Sequence, residues 1–213
     1  MPTRRPVKVA PLGDATLLAE LGQRVDTALN TRALALAAAL SKRRDVREAV
    51  AGYGSVVVHY DPEQVTYKGL SGAIQKMVQA KPPHAEPGRL HRIPVVYDGP
   101  DLQEVAAELK LSADEIIRLH TEPIYRCFMI GFVPGWAYLG PLPEKLRLPR
   151  RRVPRTHVPA GSVAMAGAQT GVYPLPTPGG WHLLGRTSVK FFLPNSDPPT
   201  LLRTGDRVRF FAT

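Results

Sequence analysis

Cysteine is almost absent from this chain: Cys127 is the single one in 213 residues. One thiol excludes an internal disulfide and a cysteine-built metal site, and it fits a reducing compartment. Cys127 itself, between Arg126 and Phe128, reads as a small buried apolar residue. Long apolar runs are missing as well, since no uninterrupted stretch approaches the roughly 20 residues that a membrane helix needs. The opening MPTRRPVKVA has basic residues with no hydrophobic segment behind them, so no secretory signal is expected and a cytoplasmic location is. Three catalytic signatures are also lacking: GxxxxGK[ST], GxSxG and HExxH. No two histidines stand at metal-ligand spacing on one element, so no metal is expected. Acidic residues are in deficit, 18 against 28 Lys and Arg, which leaves a net charge of +10. What remains, 44% apolar and 22% charged, is the composition of a globular protein long enough to bury a sizeable core.

The pattern along the chain predicts an α+β fold in two domains, at 1–85 and 86–213. In the first, Val7–Ala10 and Thr16–Glu20 read as strands separated by a Gly13-Asp14 turn. Val25, Leu29, Ala33, Leu36 and Leu40 recur at helical spacing. Val46–Val50 and Ser55–Tyr60 then form a hairpin, and Leu70, Ile74, Met77 and Val78 mark a second helix. The order ββαββα predicts a small sandwich with both helices on one sheet face. Residues 81–92, KPPHAEPGRLHR, read as the boundary, with His84 and His91 inside it. A strand Ile93–Tyr97 follows. Two short helices are announced by capping boxes, Asp101 with Glu104 and Ser112 with Glu115. Beyond Tyr125 the pattern gives only short strands, at Tyr125–Ile130, Ser162–Met165, Trp181–Leu184, Val189–Leu193 and Arg207–Phe211, which points to a barrel or sandwich.

Glycine and proline are concentrated where a site would be: residues 131–180 hold 17 of the chain's 18 Gly and 22 Pro taken together. The stretch 159–187 mixes them with Val163, Met165, Tyr173, Trp181 and Leu184, so it reads as a site wall made of stiff, specified loops. Just upstream, Lys145, Arg147, Arg150, Arg151, Arg152 and Arg155 fall within eleven residues that contain no acid. Pro149 and Pro154 break this cluster, which disfavours a nucleic-acid arm. An anion site, an acidic protein partner and a plain solvated surface stay open, with Arg151 and Arg152 expected at a partner surface.

The binding-type candidates are Arg150, Arg155, Gln169, Thr170, Gly171, Tyr173, Gly179, Gly180, Trp181, His182 and Arg186. Arginine takes carboxylate or phosphate bidentately, and Gln169 can pair with an amide or lactam edge. Tyr173 and Trp181 supply apolar walls. The alternative for Gln169 and Thr170 is hydrogen bonding within their own GxQTG turn. No helix pattern follows that turn, which disfavours a phosphate cradle. His120 is expected to meet the C-terminal carbonyls of its helix. His157 and His182 are the histidines placed to titrate in an anion site.

The runs GFVPGWAYLG (131–140) and PRRRVPRTHVPAGSVAMAGAQTGVYPLPTPGGWHLLGRT (149–187), with GSVVVHYDP at 54–62 and YDGPDL at 97–102, closely resemble the B subunit of bacterial 5-oxoprolinase. That family includes the Kip-type sensor-kinase inhibitor and was once labelled allophanate hydrolase subunit 1. The chain is also similar to the C and D subdomains of the urea carboxylase carboxyltransferase. The resemblance implies a small N-terminal α+β domain and a cyclophilin-like β-barrel. It further implies work beside an A subunit and a C subunit, with ATP and Mg used by the complex to open 5-oxoproline to glutamate. Two other implied roles are inhibition of a sensor histidine kinase and service in a urea or allophanate amide hydrolase or carboxyltransferase. No nucleic acid and no membrane is implied as partner. Among the family's motif positions are Arg155, Gln169, Thr170, Gly171, Tyr173, Gly179, Gly180 and Trp181, with Arg155 and Gln169 expected to touch ligand or partner. Trp136-Ala137 replaces the family's usual Phe-Pro pair, His182 a Gln, and Ser188 a Pro.

Overall fold

Alternating apolar residues build the first sheet. The computed structural model describes residues 7–79 and 88–213, which fall into two compact units, one within 1–86 and one within 87–213. The first unit runs β1 (Lys8–Pro11), β2 (Thr16–Glu20), α1 (Thr27–Leu40), β3 (Val46–Ala51), β4 (Ser55–Tyr60) and α2 (Tyr67–Gln79). Its sheet is antiparallel, in the order β1-β2-β4-β3. Every second residue points inward: Leu17 and Ala19 on β2, then Val56, Val58 and Tyr60 on β4. Leu36 and Leu40 of α1 and Leu70 and Ile74 of α2 join them in one cluster, so both helices cover the same face.

Helix α1 begins later than its apolar pattern suggests. Asp26 is the N-cap and its carboxylate accepts the Leu29 N–H at 2.9 Å, which leaves Val25 outside the helix and exposed. Asn30, fully enclosed, donates from Nδ2 to the Gly52 carbonyl at 3.0 Å.

The second unit contains β5 (Leu90–Val95), α3 (Leu102–Leu109), α4 (Ala113–Thr121), β6 (Tyr125–Ile130), β7 (Ala137–Gly140), β8 (Arg155–Val158), β9 (Ser162–Ala166), β10 (Gln169–Val172), β11 (Thr177–Gly179), β12 (His182–Arg186) and β13 (Arg207–Ala212). Seven strands follow the order β12-β9-β10-β7-β6-β13-β5, and β8 and β11 form a separate ribbon. All neighbours are antiparallel except β13 and β5. The two edge strands nearly meet, because Val96 and Arg186 exchange both backbone hydrogen bonds at 2.9 Å each. The α+β class with a barrel-like second part is therefore the fold that forms. Ile93, Val95, Tyr125, Cys127, Leu139, Met165, Val208 and Phe210 fill one apolar cluster, which Leu102 and Val105 of α3 and Ile116 of α4 complete. Burial pushes the Cys127 thiol up to about 12, which makes it an inert core residue.

The start of β5 and residues 189–193 differ from the sequence expectation, as do the Asp101–Glu104 capping box, which does not form, and four short strands, β7, β8, β10 and β11, that the pattern did not give. Strand β5 starts at Leu90, so His91 and Arg92 belong to a strand and not to the boundary segment; residues 81–87, with His84, lie outside the described residues. His91 is buried against Asp206, 3.2 Å from Nε2 to Oδ2. Val189–Leu193 is not a strand, and only Phe192 makes a bridge, to Thr200. Val96 already occupies the edge of β12 at Arg186, and the apolar residues that mimic a strand here serve as a plug, Phe191 entering the core.

Candidate functional site

The GFVPGW segment makes a tight turn that delivers one large ring to the centre of a cluster. The Trp136 amide donates to Val133 O and the Gly131 amide to Trp136 O, and Phe132 adopts φ 71°. Around Trp136 stand Tyr173 at 4.6 Å between ring centroids, Trp181 at 5.0 Å, Tyr138 at 5.8 Å and Phe132 at 6.1 Å. Three of these four contacts are edge-to-face, the arrangement that ring quadrupoles favour.

These rings wall a cavity of about 220 Å³ whose lining is completed by Arg150, Pro154, Pro178, Gly179 and Gly180. Trp136, Tyr173 and Trp181 are at most 5% exposed, whereas Phe132 is 62% exposed, so the cavity has a closed floor and a bare outer wall. Gly179 is required by this packing, because a Cβ there would run into the Tyr173 hydroxyl. Burial raises the Tyr173 hydroxyl pKa, against the opposing pull of the Trp181 backbone and of Arg150 and Arg155. Tyr173 is therefore a wall and hydrogen-bonding group, with its proton held.

Of the sequence candidates, Arg150, Tyr173, Gly179, Gly180 and Trp181 come together at this cavity. Gly171 supports it from behind, with the Trp136 ring 3.1 Å from where a Cβ would sit. The other candidates go elsewhere. Arg155 is a structural clamp: Nη1 and Nη2 grip the Asp101 carboxylate at 2.9 and 2.6 Å. Arg151, expected at a partner surface, binds the same carboxylate and Glu104, both at 2.9 Å. Asp101, 1% exposed, also accepts the Leu183 N–H at 2.7 Å. Two of the six clustered cations are thus taken up inside the fold, and Arg147 pairs with Glu144.

Thr170 is fully buried and lies on strand β10, away from the cavity lining. Its hydroxyl donates to Ala164 O at 2.9 Å and meets His120 Nε2 at 2.8 Å, and His120 Nδ1 meets the Tyr97 hydroxyl at 2.7 Å. Burial pushes His120 down to about 3, so the ring stays neutral. Gln169 begins the same strand after the two-residue turn Gly167-Ala168 and lies beside Gly140, away from the cavity lining. His182 is buried, with Nε2 donating to Pro149 O at 2.9 Å, so it props up the arginine loop. Arg186 is exposed and pairs with Asp98 at 2.8 Å. His157 is exposed on β8.

Residues that the sequence reading did not list as site candidates are the heart of the site. Trp136, Tyr138 and Phe132 carry the walls, and Asp101 holds the arginine loop. The signal for the first three was the aromatic spacing within GFVPGWAY; for Asp101 there was none, because its partners lie 50, 54 and 82 residues away.

Chemically, the cavity offers flat apolar walls, one guanidinium at the rim and backbone groups of two glycines. Among the described residues no carboxylate, histidine, serine or cysteine lines it. Nor is any group of three or more His, Cys, Asp or Glu among them placed to hold a metal ion, and no helix is long and apolar enough to cross a membrane.

A family model, carboxyltransferase domain, subdomain C and D, matches residues 7–202. The B subunit of 5-oxoprolinase from Escherichia coli O157:H7 is 42% identical over 203 residues, covering 93% of this chain and 93% of that protein. The B subunit of 5-oxoprolinase from Bacillus subtilis (strain 168) is 37% identical over 220 residues, covering 95% and 91%. Among solved structures, TTHA0988 superposes with a TM-score of 0.83 at 42% identity; the match covers 93% of this chain and 40% of that longer one.

Proposed function

The chain belongs to the carboxyltransferase subdomain C and D family, and from that premise we propose that it is the B subunit of a 5-oxoprolinase that works only with A and C subunits. The observation that carries this reading is the aromatic cavity with a single rim cation and no carboxylate, histidine, serine or cysteine among the described residues of its lining. Such a cavity binds and orients, and leaves the bond-breaking groups to a partner. The names of the E. coli and B. subtilis relatives supply the substrate. TTHA0988 supports the dependence on a partner, since there the same fold is part of a longer chain.

In this reading the five-membered lactam lies against Trp136, Tyr173 and Trp181 while its carboxylate takes the Arg150 fork. A lactam is a poor electrophile. ATP, with Mg held by a partner, therefore phosphorylates the lactam oxygen and releases ADP. Water adds to the activated carbon, the C–N bond breaks as the nitrogen gains a proton, and a second water releases phosphate from the acyl phosphate to give glutamate. The acid and base for these steps are assigned to the A and C subunits.

The test is glutamate and ADP formation from 5-oxoproline and ATP by the purified chain, alone and reconstituted with its A and C partners. The expected result is no turnover alone and turnover in the complex. Arg150→Ala in the complex should weaken kcat/KM by roughly tenfold, the worth of one charge-assisted contact, while the melting temperature stays put. Turnover by the isolated chain would overturn the dependence on partners, and an assembled but inert complex would overturn the substrate.

A further inference from the structure

A second concavity lies where the second half of β13 meets Arg92 of β5 and the end of α4, and it shares no lining residue with the aromatic cavity. Strand alternation creates it. Val208 and Phe210 are buried on β13, and His91, Ile93 and Val95 on β5. Arg209 and Phe211 therefore face outward beside Arg92. The strands are parallel, and Arg209 and Arg92 are register partners. Helix α4 adds Arg118, Thr121 and Glu122 to a cleft of about 470 Å³.

Three guanidinium groups thus face one carboxylate. Like charges directly opposite on neighbouring strands destabilise a sheet, and the single acid does little to relieve them. Glu122 pairs with Arg118 at 3.4 Å, with both side chains about two-thirds exposed, which makes the pair worth only a few tenths of a kcal/mol. Arg209 has no ion pair among the described residues. The Arg92 guanidinium rests over the Phe211 ring, 5.7 Å from its centroid. That contact restricts the side chain while leaving its N–H edge free to bind. A fold that keeps this repulsion on a shaped surface has an obvious source of relief in a bound anion.

We propose that this cleft binds a phosphate-bearing anion with two or more linked phosphoryl groups. The number of donors decides the class. Each guanidinium presents a planar fork, and a lone carboxylate has two oxygens, enough to fill one fork. Three forks around one cleft call for acceptor oxygens on more than one centre, which a diphosphate or triphosphate supplies. Such ligands come either free or as the phosphate tail of a nucleotide, and the cleft reads the chemistry that both share.

The experiment is titration calorimetry on the full purified chain without partner subunits, so its outcome is separate from that of the 5-oxoprolinase reading. Inorganic pyrophosphate should bind once per chain, with an affinity that falls as salt is raised from about 0.1 to about 0.5 M. Arg209→Gln should weaken it by about tenfold or more. Arg118→Gln, on an exposed helix face where folding is not at stake, should weaken it comparably. Inorganic phosphate and succinate should bind at least tenfold more weakly than pyrophosphate. ATP binding more tightly than pyrophosphate identifies a nucleotide, and equal affinity identifies the phosphate groups alone. The proposal is overturned if pyrophosphate shows no site at millimolar concentration or if succinate matches it. It is equally overturned if Arg209→Gln and Arg118→Gln leave its affinity unchanged.

Discussion

His120 ends α4 with its ring inside the barrel, stacked 4.8 Å from the Phe210 ring. The hydrogen bonds around it have a definite direction. Thr170 donates its proton to Ala164 O, so its oxygen accepts from His120 Nε2–H, and His120 Nδ1 accepts from the Tyr97 hydroxyl. The chain of donors needs a neutral ring, and burial enforces one by holding the pKa at about 3. In the unfolded chain the value returns to about 6.5. The folded value is the lower one, so the unfolded state binds more protons between these limits. Stability is fully present above pH about 6.5 and is lost as pH falls toward 3, with a slope approaching 1.4 kcal/mol per unit, roughly. Urea unfolding of the wild type and His120→Gln across pH 4 to 7, roughly, should show this one-proton slope in the wild type only. Parallel curves would refute the assignment. Neither role was legible: the sequence marks His120 as a helix-end residue and Thr170 as a turn residue. Their partners lie 23 and 50 residues off along the chain, and no local pattern encodes them.

Among the elements, α3 and α4 carry the same start signal with different outcomes. Ser112 and Glu115 form the full reciprocal capping box at α4. Asp101 stands at the N-cap of α3 but makes no side-chain cap bond. Its carboxylate is taken by Arg151, Arg155 and the Leu183 amide, and Glu104 turns to Arg151. One bidentate guanidinium and a second single charge-assisted bond win over a single backbone amide for the carboxylate. This clamp fixes the loop that carries Arg150 and Pro154 to the cavity, helped by the Arg151 N–H on Gly180 O. Asp101→Ala strands the Arg155 guanidinium and leaves Arg151 with Glu104 alone, both side chains being about a quarter exposed, and should cost about 3 kcal/mol. Asp98→Ala, which breaks the exposed pair with Arg186, should cost under about 1 kcal/mol. Denaturant unfolding of both variants checks the contrast, and equal losses would remove the clamp's special standing. The basic cluster was legible as a cluster. Its division into two half-buried clamps and one rim cation was not, because Asp101 reaches it only through the fold.

Closure of the barrel is a property of the whole second unit. The seam between the edge strands rests on the paired bonds of Val96 and Arg186, and Gly185 lets them approach, since a Cβ there would run into the Val96 carbonyl oxygen. Gly185→Ala should therefore lower stability by about 2 kcal/mol through overpacking. Gly72→Ala, in the middle of α2 with nothing within 4 Å of the added carbon, should raise it by about 0.5–1 kcal/mol. Thermal unfolding of the two variants reads opposite signs, and a neutral Gly185→Ala would show that the seam is open in solution.

The sequence pattern determined the strand and helix order of the first unit, the barrel-or-sandwich class of the second and the neighbourhood of the site in 131–187. Those features rest on periodicity and on backbone demands that Gly and Pro meet locally. The short strands at Ala137–Gly140, Arg155–Val158, Gln169–Val172 and Thr177–Gly179 were decided by pairing, since three or four residues rich in Gly, Pro and polar groups carry no period. Tertiary structure also sorted the arginines. Charge along a chain records how many cations there are, but which of them is neutralised depends on a carboxylate delivered from 50 residues away.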